Sequence, residues 1–188
     1  MSSLTHSGLA LVPVRPCDEG AIRDWYELRR AVTSADQPQD PPPCPQHERG
    51  RVRHPWPGAD ETLWVARLDG PQDTAGPGIG GGPVIGGCLL QLPTLDNLSN
   101  AAGEVFVAPG YRRQGIGRAL LAHLVTEAIR HGRTRLIAEV DQPLDPDAPD
   151  PVDRFAVAAG AVCALRMTRR RLDVGAIEPS VLADLAEQ

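Results

Sequence analysis

The stretch from residue 103 to residue 132 leaves the backbone the least choice. Residues 103–107, Gly-Glu-Val-Phe-Val, read as a strand, and Pro109-Gly110 ends it. Residues 116–131 carry an uninterrupted helical pattern that Gly132 closes. Between strand and helix lies Tyr111-Arg112-Arg113-Gln114-Gly115, and the helix opens Ile116-Gly117-Arg118. Such a turn is an anion site. Free backbone N–H groups point out of it, the helix start adds about half a positive charge, and glycines let a phosphate approach the main chain. Arg112, Arg113 and Arg118 add fixed positive charge. The expected ligand is a pyrophosphate.

Two common pyrophosphate folds do not fit. A nucleoside-triphosphatase loop needs Lys and then Ser or Thr after its last glycine, and Arg118-Ala119 stand there. A dinucleotide fingerprint starting at Gly115 needs a glycine at position 120, which is Leu120. Another match to that fingerprint, Gly76 to Gly81, precedes a strand-like run instead of a helix and reads as a loop. What remains is Arg112-x-x-Gly115-x-Gly117 between strand and helix. With its surroundings, residues 105–121, this run resembles the central motif of the GNAT superfamily of acyl-CoA N-acyltransferases. The end of the chain also resembles the first half of tandem GNAT proteins.

Composition is compatible with that likeness. At 188 residues the chain can bury one core, and a net charge of −5 argues against nucleic acid or an anionic membrane as partner. All 19 basic residues are arginine, and aromatics make up only 4%, so an aliphatic core is expected. Cys17, Cys44, Cys88 and Cys163 are far apart, which suits neither a zinc site nor a disulfide framework and suits a cytoplasmic protein. No apolar run reaches the roughly 18 residues of a membrane span, and residues 1–8 lack the pattern of a secretion signal.

Along the chain, 9–14 reads as a strand, and Asp18 caps a helix to about residue 33. Residues 36–58 hold seven prolines, which exclude a long helix and leave room for a helical turn at 46–53. Strands follow at 62–68 and 84–92 around a Gly/Pro-rich connection. After the central strand and helix come a buried-type strand at 134–140, an acidic loop at 141–151, a short helix at 153–159, and an extended segment at 161–174.

The resemblance implies an α/β (mixed α+β) GNAT fold, a mostly antiparallel twisted sheet with splayed middle strands flanked by helices. Residues 1–176 would form this single domain, and 177–188 a helical tail. It implies acetyl-CoA as co-substrate, no metal, and direct transfer of the acetyl group to a primary amine of a small molecule or peptide terminus. The alternative is a non-catalytic acyl-CoA-binding or assembly domain. By the resemblance, the N–H groups of Gln114, Gly115, Ile116, Gly117 and Arg118 bind the pyrophosphate. Phe106 and Val107 offer main-chain groups to the pantetheine, and the Val107 N–H stabilises the oxyanion.

The remaining chemistry stays open at this level. Glu104 is the only carboxylate on the central strand and a candidate base through water, although alternation sets it on the face opposite Val107. His47 and His54 are rivals, whereas His123 and His131 read as structural. Ala156 stands where the family carries a tyrosine acid, so the thiolate leaves unassisted or takes a proton from water, another residue helps, or the domain does not catalyse. Tyr111 lies too near the pyrophosphate to replace it, and Cys163 reads as a core cysteine. Asp145, Asp147 and Asp150 either attract a cationic acceptor or form a solvated acidic loop, while Arg49, Arg51 and Arg53 favour an anionic acceptor. Residues 161–174 are short for the two closing strands of the fold, so the late sheet edge is expected to pair with a second copy.

Overall fold

The computed structural model describes residues 8–68, 82–140 and 151–168. Residues 1–141 and 142–188 form two separate units. The first unit is built on five strands in the spatial order of the sequence: β1 (Leu9–Pro13), β2 (Ala59–Leu68), β3 (Val84–Pro93), β4 (Asn100–Val107) and β5 (Arg135–Ile137). The first four pair antiparallel, and β5 pairs parallel to β4. A parallel neighbour requires a crossover, and α3 (Ile116–Arg130) supplies it.

Side-chain alternation divides the core in two. On one face α3 places Ile116, Leu120, Leu124 and Ala128 on Trp64, Leu90, Leu92 and Ala101. On the other, α1 (Glu19–Asp36) and α2 (Pro45–Arg53) cover Leu63, Val65 and Leu89 with Ile22, Trp25 and Val52. The expected aliphatic core is thus present, with one tryptophan added on each face: Trp25 and Trp64 are buried. Asp18 caps α1 as expected, accepting a hydrogen bond from the Ala21 N–H at 2.9 Å. The prolines do not prevent α2, because Pro45 sits at its first turn, where no N–H is needed.

Several expectations need correction. The strand expected at 134–140 is only three residues long, and Arg135 and Ile137 are exposed rather than buried. Cys163 is exposed, and Cys88 is the buried cysteine. Burial pushes the Cys88 thiol up to about 12, which removes it as a nucleophile. Helix α4 (Pro151–Ala158) is present in the second unit, but residues 161–168 form no strand. Val162, Leu165 and Met167 are exposed there, so the segment has the apolar content of a strand without a ladder. The Gly/Pro-rich connection and its fingerprint match, the acidic aspartates, residues 169–174 and the tail helix lie outside the described residues.

His123 projects from α3 edge-on to Trp64, with ring centroids 4.7 Å apart. Burial holds it below the ordinary histidine value of 6.5; the Glu127 carboxylate opposes this and Arg130 adds to it. The unfolded chain therefore takes up this proton first, and stability falls as the pH drops through 6.5. Urea denaturation at pH 7.5 and 5.5 should show a larger loss for the native chain than for His123→Phe, which keeps an aromatic ring and lacks the proton site.

Candidate functional site

The turn after β4 has the geometry that an anion cradle requires. β4 ends at Val107, Pro109–Tyr111 form one turn of 3-10 helix, and Arg113 adopts a left-handed φ of 64°. Gly115, at φ 83°, is left-handed as well and caps the N-terminus of α3. A left-handed conformation is rare for a residue with a side chain and recurs where function demands it. Two left-handed residues in three turn the chain sharply into the helix, whose first N–H groups have no partner within it.

The Arg112 side chain does not face such a ligand. Its Nη1 and Nη2 donate to the two carboxylate oxygens of Asp36 at 2.7 and 2.9 Å, and its Nε donates to the Val107 carbonyl at 3.2 Å. Arg112 thus bolts the turn to the end of α1, 76 residues away in sequence. Arg113 and Arg118 are exposed, with no ion pair to a described residue, and they carry the fixed charge of the cradle.

Beside the cradle, the sheet opens. β4 pairs with β3 from Ala102 to Val107, but with β5 only from Asn100 to Ala102. The Ala108 N–H donates to Ile85 of β3 at 3.0 Å, and no bulge interrupts the β3–β4 register. Alternation then directs the main-chain groups of Phe106 and Glu104 into β3 and those of Val105 and Val107 to the open side. The expectation for Phe106 is corrected on this point. Its main chain belongs to the ladder, and its ring packs edge-on to Trp25 with centroids 5.6 Å apart. Val105, like Val107, turns its main chain to the open side, a residue that counting through the ladder would have found.

Glu104 lies on the α1–α2 face, opposite α3, as alternation requires. There it joins a chain of charges from four elements. The Trp25 indole N–H donates to Glu48 at 2.9 Å, and the other Glu48 oxygen is 3.8 Å from Arg29 Nε. Arg29 Nη1 donates to Glu104 at 3.2 Å, and its guanidinium lies 4.4 Å from the centre of the Phe106 ring. Arg51 holds Glu61 with two bonds of 2.7 and 2.8 Å and reaches Glu104 only at 4.0 Å. Three carboxylates thus face two guanidiniums. Glu48 and Glu61 side chains are 4% and 6% exposed against 41% for Glu104, so the surplus negative charge meets solvent at Glu104.

Of the other candidates, only Arg51 belongs to this chain of charges. His47 and His54 are exposed on α2 and at its end. Arg49 and Arg53 share the single Glu19 carboxylate and Arg51 holds Glu61, so the three arginines expected to favour an anionic acceptor are all engaged in ion pairs. Ala156 is on α4, in the second unit. Among the described residues no group of three or more His, Cys, Asp or Glu could hold a metal, and no helix is long and apolar enough to cross a membrane. Sequence reading missed Arg29, Asp36, Glu48 and Glu61. The available signal was helical spacing, since Trp25 and Arg29 share a face of α1, and Glu48, Arg51 and Val52 share a face of α2.

A family model described as the acetyltransferase (GNAT) family matches residues 22–149. The chain belongs to the GNAT acetyltransferase family. Among solved structures it is similar to a tandem GNAT protein from the clavulanic acid biosynthesis pathway, with 34% identity over 81% of this chain and a TM-score of 0.65. This GNAT chain spans 43% of that protein's length. It is also similar to an aminoglycoside acetyltransferase from an uncultured soil metagenomic sample in complex with sisomicin, at 15% identity, 89% and 99% coverage of the two chains, and TM-score 0.60. A ribosomal-protein-alanine N-acetyltransferase from Brucella melitensis is similar at 14% identity, with 87% and 99% coverage and TM-score 0.56. At those identities the last two show the fold alone. No curated protein matches the chain significantly.

The buried Glu48 carboxylate joins α2 to α1 through Trp25 and Arg29. Trp25→Phe removes its one close hydrogen bond and should lower stability by about 1–3 kcal/mol in urea denaturation.

Proposed function

We propose that this chain is a cytoplasmic N-acetyltransferase that moves the acetyl group of acetyl-CoA to a primary amine of a small molecule or peptide terminus. One observation carries the reading: the open side of β4, with the Val105 and Val107 main chain turned toward it, runs directly into the left-handed cradle at Arg113 and Gly115. Acetyl-CoA requires those two features in that order, an extended slot for its arm and an anion site for its pyrophosphate. The exposed Arg113 and Arg118 fit the charge of that group.

Bound acetyl-CoA supplies a reactive thioester. The N–H groups of Gln114, Gly115, Ile116, Gly117 and Arg118 hold its pyrophosphate, and the Val107 N–H faces the oxygen on which charge develops. Glu104 takes the ammonium proton through water. The amine nitrogen then bonds to the acetyl carbon as the C–S bond breaks and releases its second proton to solvent, and with Ala156 at the family's tyrosine position the departing thiolate takes a proton from solvent. The negative surplus at Glu104, beside arginines already engaged in ion pairs, supports a cationic acceptor over an anionic one. The β5 edge, which pairs with no other strand among the described residues, is the surface on which a second copy would pair, and sedimentation equilibrium checks this.

A second reading has its own support. Ala156 and the absence of a strand at 161–168 favour an acyl-CoA-binding domain without catalysis. Calorimetric titration with acetyl-CoA, followed by thiol release in a panel of primary amines, separates the two: binding with turnover supports the enzyme, binding without turnover the second reading, and no binding defeats both. Gly115→Glu should abolish that binding by adding bulk and negative charge, at a folding cost of roughly 1–2 kcal/mol for a left-handed non-glycine. Retained affinity would place the cradle elsewhere. Glu104→Gln should lower kcat by ~10²-fold or more with acetyl-CoA affinity intact; unchanged turnover would move the base to His47, His54 or bulk water.

A further inference from the structure

Glu104 is not held by its own strand. β4 is extended, with its Cβ atoms perpendicular to the sheet, so nothing local fixes where a glutamate carboxylate points. Its orientation comes from across the core. Arg29, three turns into α1, donates from Nη1 at 3.2 Å, whereas Arg51 stands 4.0 Å away and is committed to Glu61 through two shorter bonds. Arg29 is itself held on two sides. Its guanidinium lies over the Phe106 ring, two residues along β4 from Glu104, and Glu48 draws its Nε from behind at 3.8 Å. Glu48 is only 3% exposed and receives the Trp25 indole N–H, so it is fixed by a bond within the core.

We propose that Arg29 is a positioning residue: Trp25 and Glu48 aim its guanidinium, Phe106 supports its face, and it holds the Glu104 carboxylate in register with the open side of β4. This rests on the reading of Glu104 as the base. The arrangement also explains why a buried carboxylate is kept beneath an otherwise apolar face of α1. A buried charge stabilises little by itself, and a hydrophobic pair would serve packing as well. The chain Trp25–Glu48–Arg29–Glu104 instead converts a rigid core contact into a fixed orientation at a half-exposed carboxylate. The charged groups around Glu104 are Arg29 of α1, Arg51 and Glu48 of α2, and Glu61 of β2.

A double-mutant cycle on the full chain tests this, with acetyl-CoA and a panel of small primary amines that includes glycinamide and cadaverine. Arg29→Met should lower kcat while the KM for acetyl-CoA holds, and it should move the acidic limb of kcat/KM to higher pH by removing a positive neighbour. Arg29→Lys, which keeps the charge, should restore part of both. In a Glu104→Gln background Arg29→Met should cost nothing further, because its effect runs through that carboxylate. Losses that multiply in the double variant, or an Arg29→Met enzyme with native kcat and pH profile, overturn the positioning role while leaving Glu104 as base. Native turnover in Glu104→Gln overturns the base and this inference together, and an amine panel without thiol release removes the enzyme reading itself. Should Arg29→Met not fold because Glu48 is left unpaired, Arg29→Met with Glu48→Gln relieves the buried charge, and the same cycle is read on that pair.

Discussion

The site depends on an asymmetry in the pairing of β4. One edge is hydrogen-bonded to β3 as far as Val107, while the other meets β5 for three residues and then stands alone. Main-chain N–H and C=O groups need partners, and a strand edge exposes a row of them. An opening of this kind beside a strand invites an extended ligand that can take the place of a neighbour. Gly103 stands where the pairing ends, and a Cβ there would lie 3.0 Å from Leu136 and 3.1 Å from Leu124. The bare glycine lets β5 and α3 close tightly beneath the strand just before the two paths part.

Around that opening the two faces of the sheet have different tasks. The α3 face is apolar and anchors the helix whose N-terminus forms the cradle. The α1–α2 face combines apolar packing with a chain of alternating charges, because α2 brings only Val52 to the core as a buried apolar residue. Its attachment relies on Glu48 and Arg51, groups that can also reach Glu104 or its holder. The Arg112–Asp36 pair closes the frame by fixing the end of α1 to the turn that opens α3.

Much of this was legible in order along the chain. Strong punctuation made it so: Asp18 at a cap, Pro109-Gly110 at a strand end, Gly115 and Gly132 at the two ends of α3. The face of Glu104 was legible too, because alternation in a strand without a bulge allows only one answer. Less legible were the elements whose length depends on a partner. β5 was expected to be long and buried, and it stops after three residues where its neighbour diverges. Residues 161–168 have strand composition and no ladder. Periodicity reports which side chains avoid water, and it does not report whether another strand lies within hydrogen-bonding distance.

The sequence by itself determined the turn after β4, since a strand end, glycines, a helix start and nearby charge lie within a dozen consecutive residues. It likewise determined which face each β4 side chain occupies. Only the tertiary structure decided which of those groups remain free. Arg112 looked like a ligand for phosphate until Asp36 was found against it, and Phe106 looked like a main-chain contact until β3 took up its backbone. Arg29 and Glu48 gave no sign of their connection to Glu104, because ion pairs between residues 75 apart are set by the packing of helices on a sheet and leave no local pattern in the chain.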